Sequence, residues 1–229
     1  MDKVAILERK LVPSGKVILL GAGRLGIRVF ERLIMVHRGG FYNLTVFDGG
    51  KVEENDFYHI MKGAFLEENK ASFLKRIFSM QDNSYKKIVA IPEDFSFSIP
   101  QKKEIETADI VISTIAGGNT LPLISQIANY CVSKNIPFIT TNGVFGFGNE
   151  KIKVFHSLNN VTEGPALFLK NENFPSDSSL VTFVGTGKLI KDELPITPMN
   201  LDRIADEIVL EALREYYRRK KSERKRTNR

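Results

Sequence analysis

Lys16-Val17-Ile18-Leu19-Leu20-Gly21-Ala22-Gly23-Arg24-Leu25-Gly26 sets a short apolar run directly against a glycine turn. An apolar run of that length, without alternation, predicts a parallel strand buried on both faces. Past the turn, Ile27, Phe30, Leu33, Ile34 and His37 recur at helical spacing, and Gly39-Gly40 stops the helix. Leu44-Thr45-Val46-Phe47 then predicts a second strand, ending on Asp48. The order strand, glycine turn, helix, strand, acid is that of a nucleotide-binding unit. Gly21 permits the tight turn, Gly23 lets phosphates approach the backbone, and Gly26 lets helix and strand pack closely. The helix's first N–H groups and its positive dipole end face an anion. Asp48 is placed to accept hydrogen bonds from a ribose, and these residues leave the nucleotide open.

Outward from this unit the chain continues in alternation. Helical spacing resumes over 67–79 through Ala71, Leu74, Ile77 and Phe78, and Lys86-Lys87-Ile88-Val89-Ala90-Ile91 predicts a third strand closed by Pro92. Ala108-Asp109-Ile110-Val111-Ile112-Ser113-Thr114 predicts a fourth, Ala116-Gly117-Gly118-Asn119 a turn into a helix over 121–133, and Asn135-Ile136-Pro137-Phe138-Ile139-Thr140-Thr141 a fifth strand. Strand and helix in alternation imply an α/β, Rossmann-like, doubly wound and mostly parallel sheet. After Gly148 the pattern changes. Lys151-Ile152-Lys153-Val154-Phe155, Ala166-Leu167-Phe168-Leu169 and Leu180-Val181-Thr182-Phe183-Val184 read as short strands extending the sheet in antiparallel fashion. Asn200 suits a cap for a last helix through Ile204, Ile208 and Leu213. The expected organisation is an N-terminal arm (1–15), one nucleotide-binding domain (16–213, parallel to about 148 and antiparallel beyond), and a basic tail (214–229).

Composition narrows the function classes. With 42% apolar residues in 229, the chain can bury a full core. No apolar run reaches the length of a membrane span, and Met1-Asp2-Lys3-Val4-Ala5 shows no signal-peptide pattern. The lone cysteine, Cys131, excludes an internal disulfide and a multi-cysteine zinc site and suits a reducing, cytoplasmic location. The formal charge of +6 is concentrated, since residues 214–229 hold nine Lys or Arg against two Glu and leave the remainder at −1. Such a tail reads as a solvated helix end, so no nucleic-acid partner and no membrane are expected.

From Asp48 to Lys70 the sequence resembles the ThiF/MoeB/E1-like adenylyltransferase superfamily. Asp48, Val52 and Phe57 fall without a gap on its D-x-D-x-V-x-x-S-N-L-x-R-Q segment, and Lys70-Ala71 matches the Lys-Ala pair that opens its next helix. The family's Asn becomes Asp56, with Asn55 beside it, and its Arg becomes His59. Its T-D-N-x-x-T-R segment is Thr114-Ile115-Ala116-Gly117-Gly118-Asn119-Thr120, without the acid, and its paired CxxC zinc motifs and thioester cysteine are absent. The resemblance implies ATP-dependent adenylylation of a carboxylate with release of pyrophosphate, with ATP and Mg²⁺ bound in a homodimer. Small size and missing cysteines point to the branch that serves [Fe]-hydrogenase cofactor synthesis, whose carboxylate substrate is guanylylpyridinol.

The resemblance implies catalytic work for Lys70 at the α-phosphate, for Arg9 reaching across a dimer to the triphosphate, and for His59 as a cation near phosphates. It implies nucleotide binding by Gly21, Gly23, Arg24, Gly26, Asp48, Asn55 and Asp56, with no protein-bound metal centre. The loop Thr141-Asn142-Gly143-Val144-Phe145-Gly146-Phe147-Gly148 follows the fifth strand, where its phenylalanines would suit a planar ring. Two other readings stay open: an NAD-dependent oxidoreductase, which the opening unit alone would fit, and a non-catalytic scaffold of the same fold.

Overall fold

Lys16 to Leu20 lie in β1 (Gly15–Leu20), where Val17 and Leu19 enter one apolar core while Ile18 and Leu20 enter another. Burial on both faces is why the run shows no alternation. The computed structural model describes residue 4 and residues 11–78 and 85–227. With β2 (Phe41–Phe47), β3 (Lys87–Ile91), β4 (Ile110–Ser113), β5 (Phe138–Thr141), β6 (Lys153–Phe155) and β7 (Val181–Gly185), β1 forms a sheet ordered β3-β2-β1-β4-β5-β7-β6. Only the β6–β7 pair is antiparallel. The helices are α1 (Gly26–Met35), α2 (Phe57–Met61), α3 (Lys70–Phe78), α4 (Ile99–Glu106), α5 (Leu121–Ser133) and α6 (Pro198–Thr227).

Helices cover both faces. α1, α3 and α6 pack on one through Phe30, Leu33, Phe73, Leu74, Ile204 and Ile208. α4 and α5 pack on the other through Ile105, Ile124, Ile127 and Cys131. The chain leaves β1 toward β2 and β3 on one side and reaches β4 and β5 on the other. The strand order therefore reverses between β1 and β4, opening a crevice at their carboxyl ends. The Rossmann-like fold expected from the sequence is the fold observed.

Two local readings are corrected. The helix over 67–79 starts later, because Glu67 has φ 66° and Asn69 Oδ1 accepts the Ser72 N–H at 2.9 Å, capping α3 at Lys70. Ala166-Leu167-Phe168-Leu169 is not a strand but part of a 3₁₀ turn over Pro165–Asn171. Gly164 at φ 94° and Pro165 start that turn, Asn142 Oδ1 accepts the Ala166 N–H at 3.0 Å, and Ala166 and Leu169, three apart, are the buried pair. The antiparallel extension is accordingly reduced to β6 on β7. The last helix runs into the basic segment, since α6 crosses residue 213 unbroken. Tyr216 is buried against Phe41 with ring centroids 5.0 Å apart, and Gly40 N–H donates to Tyr217 OH at 3.0 Å.

Lys86, just before β3, donates from Nζ to Phe41 O at 3.0 Å and Leu33 O at 3.3 Å. Burial pushes its ammonium down to about 8. The unfolded chain keeps that proton up to about pH 10.4, so between those values the unfolded state binds more protons and stability rises with pH. Thermal unfolding across this window should show the wild-type Tm gaining on that of Lys86→Met as pH rises. Parallel curves would contradict it.

Candidate nucleotide site

The crevice is built around the turn between β1 and α1. Gly21 has φ 93° and donates its N–H to Phe47 O at 2.9 Å, while Thr114 Oγ1, just past β4, donates to Gly21 O at 2.8 Å. A Cβ on Gly26 would come 2.1 Å from Gly21 O, so only glycine lets α1 start this close to the turn. Gly23 is the opposite case, with nothing within 4 Å of where its Cβ would stand. That side of the turn is open to a ligand. No side chain caps α1, which leaves its first turn available to an anion.

Asp48 clamps this turn to the end of β2. Its Oδ2 accepts the Ala22 N–H at 2.5 Å and its Oδ1 the Gly50 N–H at 2.7 Å. A carboxylate has about four acceptor positions, so two remain for ribose hydroxyls. Asn69 Nδ2 donates to Asp48 O at 2.8 Å and Gly50 O at 3.2 Å, which fixes the start of α3 beside the clamp.

Lys70, the first residue of α3, places Nζ 2.9 Å from Asp56 Oδ2. The same carboxylate oxygen accepts the Glu53 N–H at 3.0 Å. Burial works to raise the Asp56 carboxyl, but the Glu53 N–H and the Lys70 ammonium outweigh it and hold the group ionised, below its usual range. His59, on α2, is fully buried and donates Nε2–H to Ala22 O at 2.8 Å. Burial lowers its pKa, which favours the neutral ring over the cation that the resemblance suggested near phosphates. α2 is held against α1 by the Arg28 guanidinium 3.9 Å over the Tyr58 ring and by Tyr58 OH donating to Glu31 at 2.6 Å.

A cavity of about 780 Å³ fills the crevice. Of the residues singled out in the sequence, Gly21, Gly23, Arg24, Asp48, Asn55, Asp56 and Lys70 line it, while Gly26 and His59 stand behind the wall. Arg9 lies outside the described residues. Sequence reasoning missed Asp94 and Phe95, past the end of β3, and matched Asn119 and Thr120, just before α5, to a family segment without giving them a role. Their signal was positional: each follows the carboxyl end of a parallel strand, where this architecture binds ligands. Of the loop after β5, Thr141 and Val144 line the cavity, joined by Ile196 and Leu201, whereas Phe145 and Phe147 do not.

The lining acids are Asp48, Glu53, Asp56 and Asp94, and no cluster of three metal-ligating side chains exists among the described residues. Asp94 gives one oxygen to the Gly49 N–H at 3.1 Å, so its other oxygen suits a Mg²⁺ held chiefly by phosphates. Cys131 is remote from this chemistry. It is fully buried on α5, and burial pushes its thiol up to about 12, which keeps it protonated. Cys131→Ala should keep activity within a few-fold while costing about 1 kcal/mol of stability from the small cavity left behind. Loss of activity with a thioester on Cys131 would contradict this.

The arrangement sets an uncapped helix N-terminus, the Asp48 carboxylate and the Lys70 ammonium around one cavity. A model of the ThiF family matches residues 6–169, and the chain belongs to that family. It is 41% identical over 208 residues to an uncharacterized protein of Methanocaldococcus jannaschii, MJ0693, covering 91% of this chain and 79% of that one. Among solved structures it resembles HcgE of Methanothermobacter marburgensis with guanylylpyridinol and ATP bound. The TM-score is 0.77 at 35% identity, covering 90% of this chain and 96% of that one. The tRNA N6-threonylcarbamoyladenosine dehydratase of E. coli, TcdA, in complex with ATP, shares the fold at TM-score 0.72 and 19% identity over 91% of this chain and 88% of its own.

Proposed function

We propose that the protein adenylylates a carboxylate with ATP, and that the carboxylate is that of guanylylpyridinol. One observation carries the reading. The glycine turn, Asp48 and Lys70 converge on one cavity, in a chain 35% identical to a protein whose structure holds guanylylpyridinol and ATP. On this reading the triphosphate lies against Gly23 and the first turn of α1, and the ribose hydroxyls hydrogen-bond to Asp48. Arg24 and Asn55, both on the cavity wall, contact phosphate or substrate. The apolar wall of Val144, Ile196 and Leu201 receives the ring of the acid.

A substrate carboxylate oxygen forms a bond to the α-phosphorus while the bond to the β-phosphate's bridging oxygen breaks, and pyrophosphate leaves. The protein contributes positioning and charge neutralisation, with no covalent enzyme intermediate. Lys70 offsets the repulsion between two anions, which requires its ammonium to turn from Asp56 toward the phosphates. Asp94 would be the protein ligand of a Mg²⁺, which would supply neutralisation of phosphate charge. We place the activity in a cytoplasmic homodimer in which Arg9 of one subunit serves the other's triphosphate. Exchange of labelled pyrophosphate into ATP should depend on added guanylylpyridinol. Exchange absent with this acid and present with another carboxylate would remove the substrate from the proposal and keep the reaction.

A further inference from the structure

His59 is fully buried, and its Nδ1 has no hydrogen-bond partner among the described residues. Because Ala22 O can only accept, the neutral ring carries its proton on Nε2, and Nδ1 presents a bare lone pair. That lone pair lies 4.0 Å from Asp56 Oδ1. The other groups facing the ring are the Lys70 ammonium, the Asp48 carboxylate and the Phe73 ring, the last with centroids 5.8 Å apart. Burial and Lys70 oppose a positive charge on His59, while the Ala22 carbonyl and the two aspartates favour one. Lys70 is the mobile member of this set. Its ammonium ends a flexible stem, whereas Asp56 is fixed by the Glu53 N–H and the ring by Ala22.

We propose that His59 is a positioning residue that takes a proton from solvent onto Nδ1 when Lys70 leaves Asp56 for the nucleotide's phosphates. Asp56 then keeps a cation beside it in both states, and Lys70 is released without stranding a buried carboxylate. The imidazolium donates from both nitrogens, to Ala22 O in the phosphate-binding turn and toward Asp56. Nucleotide binding is thereby coupled to proton uptake. By linkage it tightens as pH falls between the His59 pKa of the complex and that of the free protein.

The coupling to nucleotide rests on the reading of Lys70 given above, but its electrostatic basis is testable without ligand. NMR titration of the free protein should show the His59 pKa rising by about one unit or more in Lys70→Met, as loss of the neighbouring cation favours the imidazolium. An unchanged pKa in folded Lys70→Met overturns the proposal, whatever the activity. Calorimetry with α,β-methylene-ATP near pH 7, in buffers of different ionisation enthalpy, should then give uptake of a substantial fraction of a proton. His59→Gln retains a donor to Ala22 and should give much less. Equal uptake in both proteins, or binding without uptake in the wild type, also overturns it. A merely structural histidine would change affinity in His59→Gln without changing the proton count. Failure of the wild type to bind the analogue would refute the nucleotide site and the coupling together, with the titration still deciding the electrostatics.

Discussion

Lys70→Ala should lower kcat for carboxylate-dependent adenylyl transfer about 10²-fold or more, a loss of roughly 2.7 kcal/mol, while ATP binding weakens less. Charge shifts toward pyrophosphate during transfer, so a lysine reaching that region acts mainly on the transition state. The geometry adds a complication. Lys70 pairs at 2.9 Å with Asp56, which is buried, so the alanine variant also removes that carboxylate's ion-pair partner. Lys70→Ala with Asp56→Asn separates the effects, because it restores stability and leaves kcat low. Lys70→Arg should rescue only in part, since the planar guanidinium does not reproduce a compact ammonium on a flexible stem. Wild-type kcat in Lys70→Ala would reassign the lysine to structure and leave Arg24 as the cation on the described cavity wall.

Gly23→Val should weaken ATP binding by about 10²-fold or more with the fold retained. A side chain at this position meets nothing in the ligand-free protein and would occupy the cavity where phosphate approaches the backbone. Gly26→Val is the contrasting variant, because its Cβ would strike Gly21 O and should unseat α1 from the turn. In a thermal-shift titration, ATP at about a hundred times its Kd should stabilise the wild type by roughly 2.7 kcal/mol and leave Gly23→Val unshifted. Equal ATP affinity in the two would remove the glycine turn from the site.

The parallel half was legible because a strand buried on both faces must be a continuous apolar run, as in β1 and β4, and because Gly21, Gly23 and Gly26 each answer a different steric demand. α4 was not legible, since only Gln101 and Ile105 are buried and a helix covering so little core leaves no stripe in the sequence. Residues 166–169 misled for a related reason. An unbroken apolar run carries no period, and Gly164-Pro165 with the Asn142 cap turned it into a 3₁₀ segment. Of the residues lining the cavity, Asp48 could be read from its place at the end of the second strand, whereas Asp56 and Lys70 came from the family resemblance. Partial burial of His59 beside Phe57 and Tyr58 was one sequence reading, but its bond to Ala22 O was not legible, because it depends on α2 packing beneath the glycine turn. Asp94 and Asn119 stood at strand ends whose lengths could be read only loosely.

The central claim is the chemistry at the α-phosphorus. The most direct test is a mass spectrum of the products after the protein is incubated with ATP, Mg²⁺ and guanylylpyridinol. The account expects the acyl-adenylate of guanylylpyridinol together with pyrophosphate, formed by the wild type and strongly reduced with Lys70→Ala. ADP and orthophosphate, or unchanged guanylylpyridinol beside bound ATP, would contradict it.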